Sequence, residues 1–258
     1  LRTHRMGIGI YSLTADKLVR TDGLEVDVHD VSTPIAALTG HPRGDLILLN
    51  DGDLTYAKVR LDPKSLETLT EHIGVLTDPL ARALCWGAAW DMCRDAEMRP
   101  QDYITLVSRG LASETDLTAV QSLIRQATTA ALVYTAPERR EQARAGLIST
   151  IAQQLKEAAP GSDHQVALAN GLIGVTGSEG AALLSGWLHG EEVPEGLTVD
   201  QGMRWRIVAS LARLGQADEA AINAELERDN TIAGAEAAAG ARAAIPTPQA
   251  KSAAWKRA

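Results

Sequence analysis

The spacing of apolar and polar residues changes once along the chain, near Asp62. Before it the spacing is that of strands. Met6–Leu13 is an apolar stretch that includes Gly7 and Gly9, and Lys17–Arg20 is short and mixed. Leu24–Asp30 alternates apolar and charged positions, the period of two of a half-buried strand. Thr21-Asp22-Gly23 reads as a turn ahead of it. Asp45–Leu49 is a short apolar run suited to a buried strand, Asn50–Asp53 is a turn, and Tyr56–Leu61 alternates again. The pattern predicts a small β-rich unit of about five or six strands, too short to close a sandwich by itself.

From Asp62 onward the spacing is helical. Asp62-Pro63 and Asp78-Pro79 each set a capping carboxylate before a first-turn proline. Leu80–Trp90 is apolar almost all round, which predicts a buried helix. Pro100 opens a short helix that Gly110 stops. Ser113-x-x-Asp116 has the spacing of a capping box, and Leu117 to Tyr134 then carries apolar residues every three or four positions. Pro137 opens a helix with Ala143, Leu147, Ile151 and Leu155 on one stripe, ended by Pro160-Gly161. Val166–Val175, Gly180–Leu188, Thr198–Leu214 (with Thr198-x-x-Gln201 as its box), Ala217–Asp229, Ile232–Ala244 and Thr247 onward complete the series. Short helices on short connections, without a fixed repeat, predict an irregular HEAT-like α-solenoid of antiparallel pairs. The domains expected are 1–55, a partial β-sandwich, and 56–258, the helical solenoid. The chain opens on Leu1-Arg2-Thr3-His4 without Met and stops at Ala258 inside a helical pattern, which reads as a piece of something longer.

Charge narrows the function classes. Asp and Glu number 33 against 25 Lys and Arg, a net of −8, which argues against a nucleic-acid surface. Charged residues interrupt every apolar run before membrane-spanning length, and residues 1–15 lack the order of a signal peptide, so a cytoplasmic protein is expected. Cys85 and Cys93 stand eight apart, neither a disulfide framework nor a zinc pattern, and read as buried, reduced thiols. None of His4, His29, His41, His72, His164 and His189 has a ligand partner at metal spacing. No nucleophile elbow or phosphate loop is present, and Met6-Gly7-Ile8-Gly9 is a G-x-G inside a strand, a packing feature.

A few residues stand out. Arg82 is the one charge inside the apolar helix, and a buried arginine needs a partner, with Asp78 and Asp91 nearest in sequence. It is either half of a structural ion pair or a cationic wall of a substrate cavity. Trp86 and Trp90 share a helix face and read as core. Arg204, Arg206 and Arg213 cluster on one helix beside Trp205, either a solvated basic face or an electropositive strip on a concave surface. Glu191, Glu192 and Glu195 around Pro194 read as a solvated loop.

Asp45–Asp62 resembles the junction of the third and fourth domains of M1-family zinc aminopeptidases, the aminopeptidase N group. There an Asn and a turn precede a strand with an aromatic near its start, and an acidic residue precedes a helix. Asn50, Tyr56 and Asp62 stand at those positions. Leu80–Met98 is similar to the first long buried helix of that family's C-terminal domain, with Arg82 and Asp91 at positions usually charged. Arg204–Gly215 followed by Ala217–Gly234 resembles its late helices, as in the endoplasmic-reticulum aminopeptidases, and the alanine-rich wording suits an actinobacterial member. The resemblance implies a non-catalytic C-terminal region that caps the active-site chamber. The family's H-E-x-x-H motif, its downstream Glu and its G-x-M-E-N loop are not in these residues, so no catalytic residue carries over. Zinc is implied for the parent's catalytic domain and no cofactor for this chain. The implied partners are that catalytic domain, within one polypeptide, and peptide substrates, with no nucleic acid and no membrane. Arg82, Arg204, Arg206 and Arg213 are the substrate-channel candidates. A stand-alone helical scaffold that binds protein or peptide on a concave face is the rival reading, and an enzyme with an unfamiliar site is a third.

Overall fold

The computed structural model describes residues 3–257. The chain ends, on which the reading of an excised piece rests, include Leu1, Arg2 and Ala258, which lie outside the described residues. Three strands and eleven α-helices are found among the described residues. The fold is mostly helical with a small antiparallel sheet near its N-terminal end. The chain packs as two compact units, residues 1–143 and 144–258.

In the first unit β1 (His4–Thr14) lies between β2 (Lys17–Val28) and β3 (Leu46–Leu49), antiparallel to both. The sheet has three strands where the alternation predicts five or six. Lys17–Arg20 and Leu24–Val28 form one strand, because Thr21 does not turn the chain: it is the extra residue of a bulge, between the pairs Ile10–Asp22 and Tyr11–Arg20. Its hydroxyl donates to the Ile10 carbonyl. Gly7 and Gly9 belong to β1, and a Cβ on Gly7 would stand 2.0 Å from the Asp51 carbonyl oxygen. They are a packing feature, as expected. The Asp51 carboxylate accepts from the buried Tyr11 hydroxyl at 2.8 Å and pairs with Arg20 at 2.9 Å.

Tyr56–Leu61 forms no strand. The Asn50 amide closes the turn before it, donating to the Thr55 carbonyl and accepting from its N–H, and the side chains of Lys58 and Arg60 reach Asp95. Tyr56 is fully exposed, and only Leu61 is buried. The segment is held by side-chain contacts and pairs with none of the three strands.

Asp62 and Asp78 cap α1 (Pro63–His72) and α2 (Pro79–Arg94) as predicted, each accepting from two first-turn N–H groups. Helix α1 covers the β3 edge: Ile47 N–H donates to Ser65 Oγ, and Thr68 Oγ1 donates to the Asp45 carbonyl. Then come α3 (Pro100–Gly110) and α4 (Leu117–Thr129), the latter passing into a π-turn at Ala130–Tyr134. The cap of α4 is Asp116, which accepts from Ala119 N–H, while Ser113 belongs to the preceding 3-10 turn. Trp86 is buried, and Trp90 stacks on Tyr134 with ring centroids 5.9 Å apart. Both cysteines are buried and free, and burial pushes the thiols up, Cys93 to about 11.

Helix α5 (Arg140–Glu157) leads into the second unit, where its stripe Leu147, Ile151 and Leu155 is buried. Helices α6 (Asp163–Val175), α7 (Ala181–His189), α8 (Gln201–Arg213), α9 (Glu219–Arg228), α10 (Ile232–Ala244) and α11 (Pro248–Arg257) follow. Helix α8 is the hub, packed against α6, α7, α9 and α10. Its cap is Asp200, which accepts from Met203 N–H, two residues after the expected Thr198.

Candidate functional site

The four arginines picked out in the sequence divide by environment. Arg82 is buried in the first unit, and its partner is neither Asp78 nor Asp91. Its Nε and Nη2 donate to Glu114 at 3.0 and 3.2 Å, and Nη1 donates to the Leu76 carbonyl at 2.8 Å. Asp78 is occupied as a helix cap, and Asp91 pairs with Arg94. Glu114 also accepts from Trp86 Nε1 and from the Thr115 and Asp116 amides. Burial raises the Glu114 carboxyl, and the donors around it outweigh burial and hold it below its usual range. This constellation is a closed structural pair, not an open cationic wall.

Arg204, Arg206 and Arg213 lie together on α8 in the second unit. Arg204 donates to both oxygens of buried Glu225, at 2.8 and 2.7 Å, and to the Leu188 carbonyl at 2.9 Å. Arg213 donates to the Thr176 carbonyl at 2.9 Å, and burial, with Arg144 nearby, lowers its guanidinium below the usual value. Arg206 is exposed, one residue beyond the buried Trp205, whose Nε1 donates to Asp229. The cluster therefore contains one arginine closed by a carboxylate and two exposed ones, of which Arg213 is also tied to the backbone.

The second unit also holds a cavity of about 630 Å³, open to solvent on one side, which the sequence pattern does not announce. Leu155, Leu172, Leu183, Trp187, Pro160 and Pro194 supply much of its apolar wall, and Lys156, Glu157, Glu192 and Glu195 supply charges. Glu192 and Glu195 are exposed, as a solvated loop requires, yet their loop is also a wall.

Two loops shape this wall, and both are fixed by the backbone. After α7, Gly190 turns left-handed at φ 79°, Glu191 N–H donates to the Gly186 carbonyl at 2.9 Å, and Glu192 follows at φ 53°. Trp187 Nε1 then donates to the Glu192 carbonyl at 3.1 Å. Gly161, after α5, and Gly196 meet backbone to backbone: a Cβ on Gly196 would stand 2.6 Å from Gly161 N. Gln165, 2% exposed, ties the loops together. Its Oε1 accepts from Gly161 N–H at 2.8 Å, and its Nε2 donates to the Glu195 carbonyl at 2.8 Å. The signal available for Gln165 was Ser162-x-x-Gln165, a capping-box spacing in which Ser162 does cap α6.

Among the described residues no group of three His, Cys, Asp or Glu side chains converges as a metal site, and no helix is long and apolar enough to cross a membrane.

A helical series that follows a small sheet in the chain, with a long buried helix early in it, is what the family resemblance implies. Residues 46–258 match the family model of the ERAP1-like C-terminal domain, and the chain belongs to that family, the C-terminal part of M1-type aminopeptidases. It is 46% identical, over 99% of its length, to the Aminopeptidase N of Streptomyces lividans. The chain spans about 30% of the length of that relative.

Proposed function

We propose that this chain is the non-catalytic C-terminal region of a zinc aminopeptidase that removes N-terminal residues from peptides, and that it caps the active-site chamber and helps admit substrate. The observation that carries the reading is the 46% identity to an Aminopeptidase N along the whole chain. Among the described residues no group of three His, Cys, Asp or Glu side chains could hold the parent's zinc: His4 meets Thr55, His41 pairs with Asp22, and His29 and His189 contact backbone carbonyls. In this reading zinc and the hydrolytic step belong to the parent's catalytic domain, the intramolecular partner of this region in a cytoplasmic enzyme. The domain boundary we propose stays near residue 55, where the Asn50 amide closes the last turn before the Asp62 cap.

Within this reading Arg206 is the best channel candidate, since its guanidinium is exposed, with Arg213 beside it on the same helix. Arg82 and Arg204 are neutralised by carboxylates and serve the fold. The test has two parts. The 258-residue chain with added zinc should not turn over an aminoacyl-anilide, and zinc-dependent turnover would overturn the proposal. In the full-length enzyme, Arg206→Ala should change kcat/KM for peptides while leaving that for the small anilide unchanged. Equal effects on both, or none on either, would remove Arg206 from the channel.

A further inference from the structure

We infer that the cavity between α5, α6 and α7 and the Gly190–Gly196 loop is a binding site for a small organic ammonium with an apolar body. The inference goes beyond the aminopeptidase reading and does not depend on it. The volume, about 630 Å³, lies in the range of small-molecule sites. The composition is that of such sites as well: an apolar lining with few polar groups. The charges decide the class. Glu157, Glu192 and Glu195 stand against Lys156 alone, so the lining carries an excess of two negative charges. An apolar body would meet Leu155, Leu172 and Leu183, and an ammonium would be held near the carboxylates. A carboxylate ligand would meet three like charges for one lysine.

The wall is preformed, so little ordering cost accompanies binding. Gln165 joins the two loops through buried hydrogen bonds, and Gly161 and Gly196 are in backbone contact beneath them. Both polar atoms of Gln165 are satisfied by these loops, which leaves recognition to the carboxylates.

The Trp187 indole N–H, bonded to the Glu192 carbonyl, is a built-in reporter. With 5 tryptophans in the chain, its resonance in a 15N-correlated spectrum is assigned by Trp187→Phe. Titrating the full chain with phenethylammonium should shift that resonance saturably. Neutral 2-phenylethanol and anionic phenylacetate should bind about tenfold more weakly or worse, the order expected of a partly screened charge contact. Glu192→Gln/Glu195→Gln, both at exposed positions, should keep the circular dichroism of the parent and lose a similar factor for the ammonium alone. Absence of a saturable shift overturns the proposal. So does equal binding of phenylacetate, or unchanged ammonium affinity in the double variant.

Discussion

Replacing Glu114 by Gln tests whether the Arg82 constellation holds the first unit together. The substitution keeps the shape of the side chain and removes its charge. Arg82, with its side chain 11% exposed, then keeps the Leu76 carbonyl but faces an amide where it had a bidentate carboxylate. Trp86 Nε1 and the amides of Thr115 and Asp116 lose a charged acceptor at the same time. Breaking a buried pair from one side costs about 3–5 kcal/mol, because the remaining charge is uncompensated. For a unit of this size that is a fall in Tm on the order of 10 °C. Urea unfolding of wild type, Glu114→Gln and Glu67→Gln, the last an exposed control expected within about 0.5 kcal/mol, measures it. The pH dependence adds a sign. The Glu114 carboxyl is held below its usual value, so its contribution is complete above the unfolded pKa, about 4.3, and fades as pH falls through the lower folded value. The gap between wild type and variant should therefore narrow on acidification. A Glu114→Gln protein as stable as wild type at pH 7, or a gap that persists unchanged below pH 3, would refute the reasoning.

The loop contact at Gly196 should make it less tolerant of alanine than Gly190. Gly196→Ala adds a backbone clash to a φ of 78°, whereas Gly190→Ala, at φ 79° with open space around it, carries the left-handed strain alone, about 1 kcal/mol. Unfolding midpoints should rank them in that order. Asp78→Ala should cost about 1 kcal/mol by removing the acceptor for two N–H groups of α2, read as a shift in urea midpoint. His41, whose imidazole contacts the Pro42 carbonyl and Asp22, should titrate above the usual histidine value by NMR, and Asp22→Asn should lower it. The pair's contribution is present below the unfolded pKa, about 6.5, and is lost as pH rises through the folded one.

The helical half was largely legible because its signals are local. Ile232–Ala244 has the same bounds by spacing and in the structure, and the two Asp-Pro caps stand where the sequence puts them. Errors arose where two local signals competed. Ser113 and Thr198 have box spacing, but Asp116 and Asp200 stand closer to their helices and supply a charged acceptor. Thr21-Asp22-Gly23 has turn chemistry, and a bulge uses the same residue types. What could not be read was long-range pairing. Arg82 finds Glu114 across 32 residues, and Gln165 joins a loop next to it in sequence to one 30 residues on. Nothing in the spacing near Arg82 points that far. The cavity was hidden for the same reason, since its walls come from separate helices and from a loop whose glutamates look merely solvated.

The cap residues change what the acidity of the chain means. Five aspartates, Asp62, Asp78, Asp116, Asp200 and Asp218, sit at helix N-termini, where the peptide dipoles present about half a positive charge to each. An electrophoretic measurement would still count all of them. A diffusing cation would feel them only weakly, because each is partly cancelled at its own helix. Half of each cap charge, about two and a half of the formal excess of eight, is thus an internal account between side chains and backbone. The uncancelled remainder is local, and the loop glutamates around Pro194 belong to it.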